Sequence, residues 1–203
     1  RSAADEWEID DCRAQMGAML ADGLACEWYE AADGVGLTFP SDASFNPLAR
    51  CRILAQRAVR GGAQLFSRSP VTAVQGTRVD TAEGTVHCQR VIVAIDGRLE
   101  VLLPELAGRV RTARLQMLAT APTRELTVPC PMYYREGYEY WQQLPDGSLT
   151  IGGFRDQGGP GEWSLDARPQ APVQDLLESF VRTHLGVSAP ITHRWAACAG
   201  YTE

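Results

Sequence analysis

Five apolar residues follow one another without a break at Val91-Ile-Val-Ala-Ile95 and stop at Asp96-Gly97. A strand exposed on one face alternates apolar and polar side chains. An unbroken apolar run needs cover on both faces, which is the situation of an inner strand in a parallel sheet flanked by helices. In such sheets ligands lie beyond the carboxyl ends of the strands. The Asp96-Gly97 step is therefore a candidate ligand-contacting edge, with an ordinary turn as the plainer reading.

The rest of the chain supplies elements of both kinds. Residues from Glu6 to Leu24 favour a helix, with Trp7, Cys12, Met16, Met19, Leu20 and Leu24 near helical spacing and Gly23 at its end. Gly34 and Gly36 then break the pattern and lead into extended chain. Asn46-Pro47 joins an N-cap residue to a proline at the first helical position. Leu48, Cys51, Leu54, Ala55, Ala58 and Val59 form one face of that helix, and Gly61-Gly62 ends it. A short strand is expected at Gln64-Leu65-Phe66. Val71 to Val74, Thr77 to Thr81 and Thr85 to Cys88 read as a meander turning at Gly76 and Glu83-Gly84. A short helix is expected over Leu99 to Leu103.

From Arg109 onward longer alternating strands are expected at Val110 to Ala119, Met132 to Arg135, Tyr138 to Leu144 and Leu149 to Phe154. Pro145-Asp-Gly147 turns the last two into a hairpin. Pro172 to Leu185 is amphipathic, with Val173, Leu176, Leu177, Phe180, Val181 and Leu185 inward, and Ile191 to Ala197 is a final strand. The pattern thus combines an α/β part with an α+β part made of an antiparallel sheet and helices on one face.

Composition narrows the function classes. A net charge of -6, with no basic cluster, argues against a nucleic-acid footprint. No run approaches the roughly 18 apolar residues of a membrane span, no basic, apolar leader is visible, and the scattered cysteines read as reduced thiols of a cytoplasmic protein. All nineteen basic residues are arginine, which reads as codon bias. The six cysteines are scattered without a Cys-x-x-Cys pair, and His87, His184 and His193 form no metal motif, so no metal site is expected. There is no Gly-x-Ser-x-Gly elbow and no paired carboxylates stand out, so no side chain is assigned as catalytic.

Several motifs are carried in a definite order. They are Phe39-Pro40 with Asn46-Pro47, Gly62-Ala63 before Pro70-Val71, and Thr81-Ala-Glu-Gly84 before Val91-Ile-Val-Ala-Ile-Asp-Gly97. Leu102-Leu-Pro-Glu-Leu106 and Arg114-Leu-Gln116 come next. Tyr138-Glu-Tyr-Trp141, Asp146-Gly147 with Ile151-Gly-Gly153, and Arg194-Trp195 with Gly200-Tyr-Thr-Glu203 complete the set. In this order they resemble the FAD-dependent amine and D-amino acid oxidoreductases of the glycine oxidase and sarcosine oxidase group, and most of all the γ-glutamylputrescine oxidase branch.

The resemblance implies oxidation of a carbon-nitrogen bond in an amine or amino acid to an imine, with hydride passing to FAD. It implies part of a Rossmann-like FAD domain plus an antiparallel-sheet substrate domain. Residues 1–44 would be a lead-in helix and substrate-domain segment, 45–102 an incomplete FAD-domain segment, 103–197 the substrate domain, and 198–203 a return toward the FAD domain. The family's Gly-x-Gly-x-x-Gly fingerprint is absent. A central fragment is therefore expected, one that binds FAD weakly or not at all alone and covers Val91–Ile95 by homodimerising, swapping or pairing with other segments. A non-redox small-molecule binding module is the alternative.

By the same resemblance Pro70 and Val71 match the strand meeting the adenine edge of FAD, and Ala94, Ile95, Asp96 and Gly97 match the strand end beside the cofactor. Asp96 replaces the usual asparagine. For the substrate, Gln116 falls in the family's Arg-x-Gln motif, and Tyr138, Tyr140 and Trp141 cluster on one strand. Alternation puts Tyr138 and Tyr140 on one face and Trp141 on the other. Arg155 is a candidate partner for a substrate carboxylate, since arginine binds carboxylates bidentately. Packing roles for the aromatics, and a solvated surface position for Arg155, stay open at this stage. Cys198 lies near a position that carries a covalent flavin link in sarcosine oxidases; a structural thiol is the expectation here.

Overall fold

Thr112, Arg114, Gln116, Leu118 and Thr120 alternate along one extended segment, and every one of them is buried. That segment, β6 (Val110–Thr120), is the spine of the fold. The computed structural model describes residues 1–31 and 34–202. In chain order its elements are α1 (Glu6–Ala21), β1 (Glu27–Ala31), β2 (Gly34–Thr38), α2 (Pro47–Arg60), β3 (Val71–Gln75), β4 (Arg78–Thr81), β5 (Thr85–His87) and α3 (Leu99–Leu102). After β6 come β7 (Met132–Tyr134), β8 (Glu139–Gln143), β9 (Leu149–Gly152), α4 (Ala171–Thr183) and β10 (Ile191–Thr202).

The main sheet has five antiparallel strands in the order β10-β6-β9-β8-β7. Its register pairs Trp141 with Ile151 and Ile151 with Leu118, so the three share a face. α4 closes that face with Val173, Leu177, Phe180 and Val181, each at most 7% exposed. Burying a side chain of this size contributes roughly 1.5–3 kcal/mol, and this one layer accounts for most of the apolar core. Gly186, at φ 66, ends the helical segment in a left-handed conformation that costs glycine little.

The sheet is extended on its β7 side. Ser2 donates to the Tyr133 carbonyl (2.6 Å) and Ala3 to the Val35 carbonyl (2.8 Å), so residues 1–3 stitch the β1–β2 hairpin to β7. At Gly36 a Cβ would meet the Arg1 carbonyl oxygen at 1.9 Å. The sequence pattern reads Gly34 and Gly36 as breakers ahead of extended chain, yet both lie within β2, where Gly36 permits this close approach.

The Asn46-Pro47 helix start is present, with the Asn46 side chain accepting the Ala49 N–H at 2.9 Å. The β3–β4–β5 meander is present in the expected order. Three expectations are corrected. First, Gln64–Phe66 forms no strand; Leu65 and Phe66 are 59% and 74% exposed, with no ladder to join. Second, Val91–Ile95 forms no strand either, and Ile92 is 90% exposed. A strand exists only by hydrogen bonding to neighbours, and the described residues offer this run none. Third, Trp7, Leu20 and Leu24 of the α1 pattern are exposed, and α1 buries Cys12 and the carboxylate-bearing Glu8 instead. The apolar face of α2 is likewise uncovered, with no residue of the helix buried.

Candidate functional site

β9 leaves β6 at Gly152, the last residue paired with Met117. Beyond it the backbone takes up φ 144 at Gly153 and φ 58 at Phe154. A Cβ on Gly153 would meet the Tyr138 carbonyl oxygen at 2.4 Å, so glycine is what lets the strand turn away here. The parting opens a cavity of about 370 Å³ lined by Leu115, Gln116, Glu136, Gly137, Tyr138, Tyr140, Gly153, Arg155 and Tyr201. Four of the five substrate-side candidates, Gln116, Tyr138, Tyr140 and Arg155, therefore meet at one cavity. Trp141 does not join them: it is 7% exposed and packs against Phe180 at 5.4 Å between ring centroids, on the α4 face.

Tyr140 stands on the face of the sheet away from α4. Its ring covers Gly152 so closely that a Cβ there would meet ring carbons at 2.5 Å. Burial pushes the Tyr140 phenol above its ordinary range, so at neutral pH it stays protonated and can donate a hydrogen bond. Its ring lies 6.2 Å from that of Tyr133.

Arg155 is held by rings. Its guanidinium is 4.6 Å from the Tyr201 centroid and 5.1 Å from that of Trp163, and these two rings meet edge-on at 6.0 Å. Arg111 lies over the same indole at 4.0 Å. No acidic side chain among the described residues forms an ion pair with Arg155. A guanidinium oriented by aromatic faces, with its hydrogen-bonding edge uncommitted to carboxylates, suits an incoming anion.

Gln116 lines the cavity, but its amide is already engaged. It donates to Glu162 (2.9 Å) and accepts from the Gln170 N–H (2.8 Å) and the Gln174 side chain (3.2 Å). Arg114 completes the cluster through its buried ion pair to Glu162 at 2.7 Å. The Arg-x-Gln motif thus pins the turn Pro160–Glu162, and with it the adjoining Trp163 that orients Arg155. Sequence reasoning missed Trp163, Tyr201 and Glu136. Tyr201 stands in a motif that the resemblance already marked, whereas the other two carry no signal short of the fold.

The flavin-side candidates lie close by. Asp96 accepts the Gly200 N–H at 3.0 Å, and a Cβ on Gly97 would meet the Cys198 carbonyl oxygen at 2.9 Å. Asp96 and Arg98 flank that glycine with φ 57 and 71, and the Arg98 N–H donates to Thr112 Oγ1 at 2.7 Å. The Asp96-Gly97 step is thereby fixed to β10 one residue from Tyr201, which lines the cavity. Ala94 and Ile95 lead into it exposed. Pro70 and Val71 lie apart at the start of β3, exposed, with β3 touching α3. Cys198 pairs with Arg114 in register and its thiol contacts the Ser164 carbonyl, so it shares the Arg114 face of the sheet. Among the described residues no cluster of His, Cys, Asp and Glu could hold a metal ion, and no helix is long and apolar enough to cross a membrane.

Solved structures share this fold. The fold is similar to a glycine oxidase from Geobacillus kaustophilus (TM-score 0.80, 18% identity, covering 100% of this chain and 58% of that one). It is similar to a glycine oxidase from Bacillus cereus ATCC 14579 (TM-score 0.77, 16% identity, 98% and 60%). It is also similar to an L-proline dehydrogenase from P. horikoshii (TM-score 0.79, 15% identity, 100% and 59%). The chain spans about 60% of the length of these proteins. None of the curated proteins searched matches it. The family model described as DAO, FAD dependent oxidoreductase, matches residues 2–201. The chain belongs to this family of FAD-dependent oxidoreductases.

Proposed function

We propose that this chain supplies the substrate cavity, and one wall of the flavin site, of an enzyme that oxidises a carbon-nitrogen bond of an amine or amino acid to an imine. The observation that carries the proposal is the meeting of two sets of residues at Gly200-Tyr201: Asp96-Gly97 docks against Gly200, and Tyr201 lines the cavity with Tyr140 and Arg155. The fit to FAD is that of a partial site. A rigid backbone step at Asp96-Gly97 and the exposed approach Ala94-Ile95 suit contact with a flat ligand along one edge, and Pro70-Val71 offers backbone groups for the adenine end. FAD, when bound, takes up the two electrons released as the carbon-nitrogen single bond becomes a double bond.

In this reading Arg155 pairs with a substrate carboxylate and Tyr140 donates a hydrogen bond to it, which fixes the donor carbon relative to the flavin side. Tyr138 walls the cavity. Exclusion of water there favours the neutral amine that the reaction needs. The motif order favours the γ-glutamylputrescine oxidase branch, residues 45–102 as the flavin-side unit, residues 1–44 and 103–197 as the substrate side, and residues 198–203 as the link back. A cytoplasmic protein is part of the same reading. So is cover for Ile92 and Ile95, from another segment of the protein or from a second copy.

The test is to express the whole open reading frame that contains this chain, record its visible spectrum, and add amines and amino acids without oxygen. A yellow protein bleached by such compounds is expected, and Arg155→Met should raise the concentration needed for acidic substrates by tenfold or more, about the worth of one charge-assisted bidentate pair. A colourless protein, or a flavin that none of these compounds reduces, would sink the proposal.

A further inference from the structure

Part of the lining that Glu136 and Gly137 share with Arg155 is built from unusual backbone. Arg135, Glu136 and Gly137 have φ of 47, 56 and 92, three left-handed residues in succession, and only the last is glycine. Left-handed backbone is strained at a non-glycine residue, and such strain persists only where surrounding structure holds it. Here the holding groups are identifiable. The buried Glu139 carboxylate accepts both the Nε and the Nη2 of Arg135 at 2.6 Å. Arg135 also reaches Asp156 at 3.1 Å. From the other side the Glu8 carboxylate, itself buried, accepts the Glu136 N–H at 2.5 Å. Three carboxylates and a salt-bridge fork thus fix a strained turn whose product is to set Glu136 in the cavity lining.

Among the described residues, the Glu136 carboxylate has no hydrogen bond and no ion pair; its own contact is through the backbone. The cavity therefore carries an arginine held by two rings and a glutamate held by a strained turn, opposite charges left for a ligand. The reacting amine has to shed its proton, and a carboxylate beside it would keep that proton on. Glu136 is thus suited to a second, non-reacting ammonium.

We propose that Glu136 is a specificity-determining residue and that the preferred substrate carries a carboxylate and two amino groups, as a diamino acid does, with the carboxylate at Arg155 and the distal ammonium at Glu136. This rests on the reading of the cavity as a substrate site, and it is tested by binding so that the two can fail separately. The probes are both enantiomers of lysine, norleucine and 2-aminoadipate, which place an ammonium, a methyl group or a carboxylate at the end of similar side chains. Titration of the full-length protein by calorimetry should give lysine about fivefold tighter than norleucine, as expected of a partly exposed ion pair, with 2-aminoadipate weakest. Glu136→Gln should level lysine and norleucine, and Glu136→Lys should reverse the order in favour of 2-aminoadipate. Both variants should melt with the wild type, because no described partner is lost. Norleucine binding as well as lysine, a preference that survives Glu136→Gln, or no binding of any probe would each overturn the proposal. A lysine preference in a protein whose flavin is never reduced would leave it standing and remove the redox reading instead.

Discussion

Replacement of Glu162 by alanine isolates the cluster that supports the site. The Arg114 and Glu162 side chains are 6% and 4% exposed, and three guanidinium-to-carboxylate contacts between 2.7 and 3.3 Å join them. Removing the carboxylate leaves a buried cation with the Gly161 and Asp166 carbonyls at 3.0 and 3.3 Å as its remaining partners. It also strips an acceptor from the Gln116 amide. Losing one partner of a buried pair costs about 3–5 kcal/mol. The two carbonyls pull the figure toward the lower end, and the stranded Gln116 donor adds about 1 kcal/mol. About 4 kcal/mol is a large share of the 5–15 kcal/mol available to a typical domain, and at roughly 2–4 °C per kcal/mol it lowers the melting temperature by about 10 °C. Urea unfolding followed by far-UV circular dichroism gives the free energy directly, and an unchanged slope would keep the denatured state out of the account. The paired change Arg114→Met with Glu162→Leu should recover most of the loss, since the cost lies in the uncompensated charge. A single variant within about 1 kcal/mol of wild type, or a double variant as unstable as the single, would refute this reasoning.

Other outcomes follow from the same geometry. Gly152→Ala places a methyl group 2.5 Å from the Tyr140 ring, so it should displace that ring and weaken binding of carboxylate ligands by calorimetry while the five-stranded sheet persists by circular dichroism. Gly97→Ala meets the Cys198 carbonyl at 2.9 Å and should release the Asp96 segment from β10, seen as faster amide exchange at Gly200. Glu178 is held below the usual carboxylate range chiefly by Arg194, with Arg182 adding at 3.2 Å. Its contribution is thus complete above the unfolded value of about 4.3 and is lost as pH falls through the lower folded value. Glu178→Gln should cost up to about 1 kcal/mol at pH 7 and almost nothing at pH 2, in thermal melts across that range.

The legible part of the sequence was the part whose partners are close in the chain or whose pattern is strict. β6 to β9 and α4 could be read because alternation and the 3.6-residue stripe each point to one buried face, and α4 buries what its stripe demands. Asn46-Pro47 and Gly61-Gly62 fixed α2 by local capping alone. Gathering Gln116, Tyr138, Tyr140 and Arg155 in one cavity was legible only as family resemblance, because no spacing rule links positions up to 39 residues apart. What Gln116 does there was not legible at all. Its partners Glu162, Gln170 and Gln174 come from a later loop and helix, and a buried amide finds its acceptor only once the chain has folded.

Val91–Ile95 shows the limit from the other side. Its composition is that of an inner strand, and nothing local contradicts it, yet the run has no ladder among the described residues and Ile92 stands 90% exposed. Composition states what cover a segment needs; only long-range pairing decides whether it is met. The uncovered face of α2 makes the same demand, with Leu48, Ile53, Leu54 and Val59 each about half exposed or more. The contrast with Asp96-Gly97 is instructive, because that step is already locked to β10 by a backbone fit too tight for any side chain. The Asp96-Gly97 step therefore owes its placement to contacts with the main sheet itself, whereas the exposed run before it makes no such contacts among the described residues.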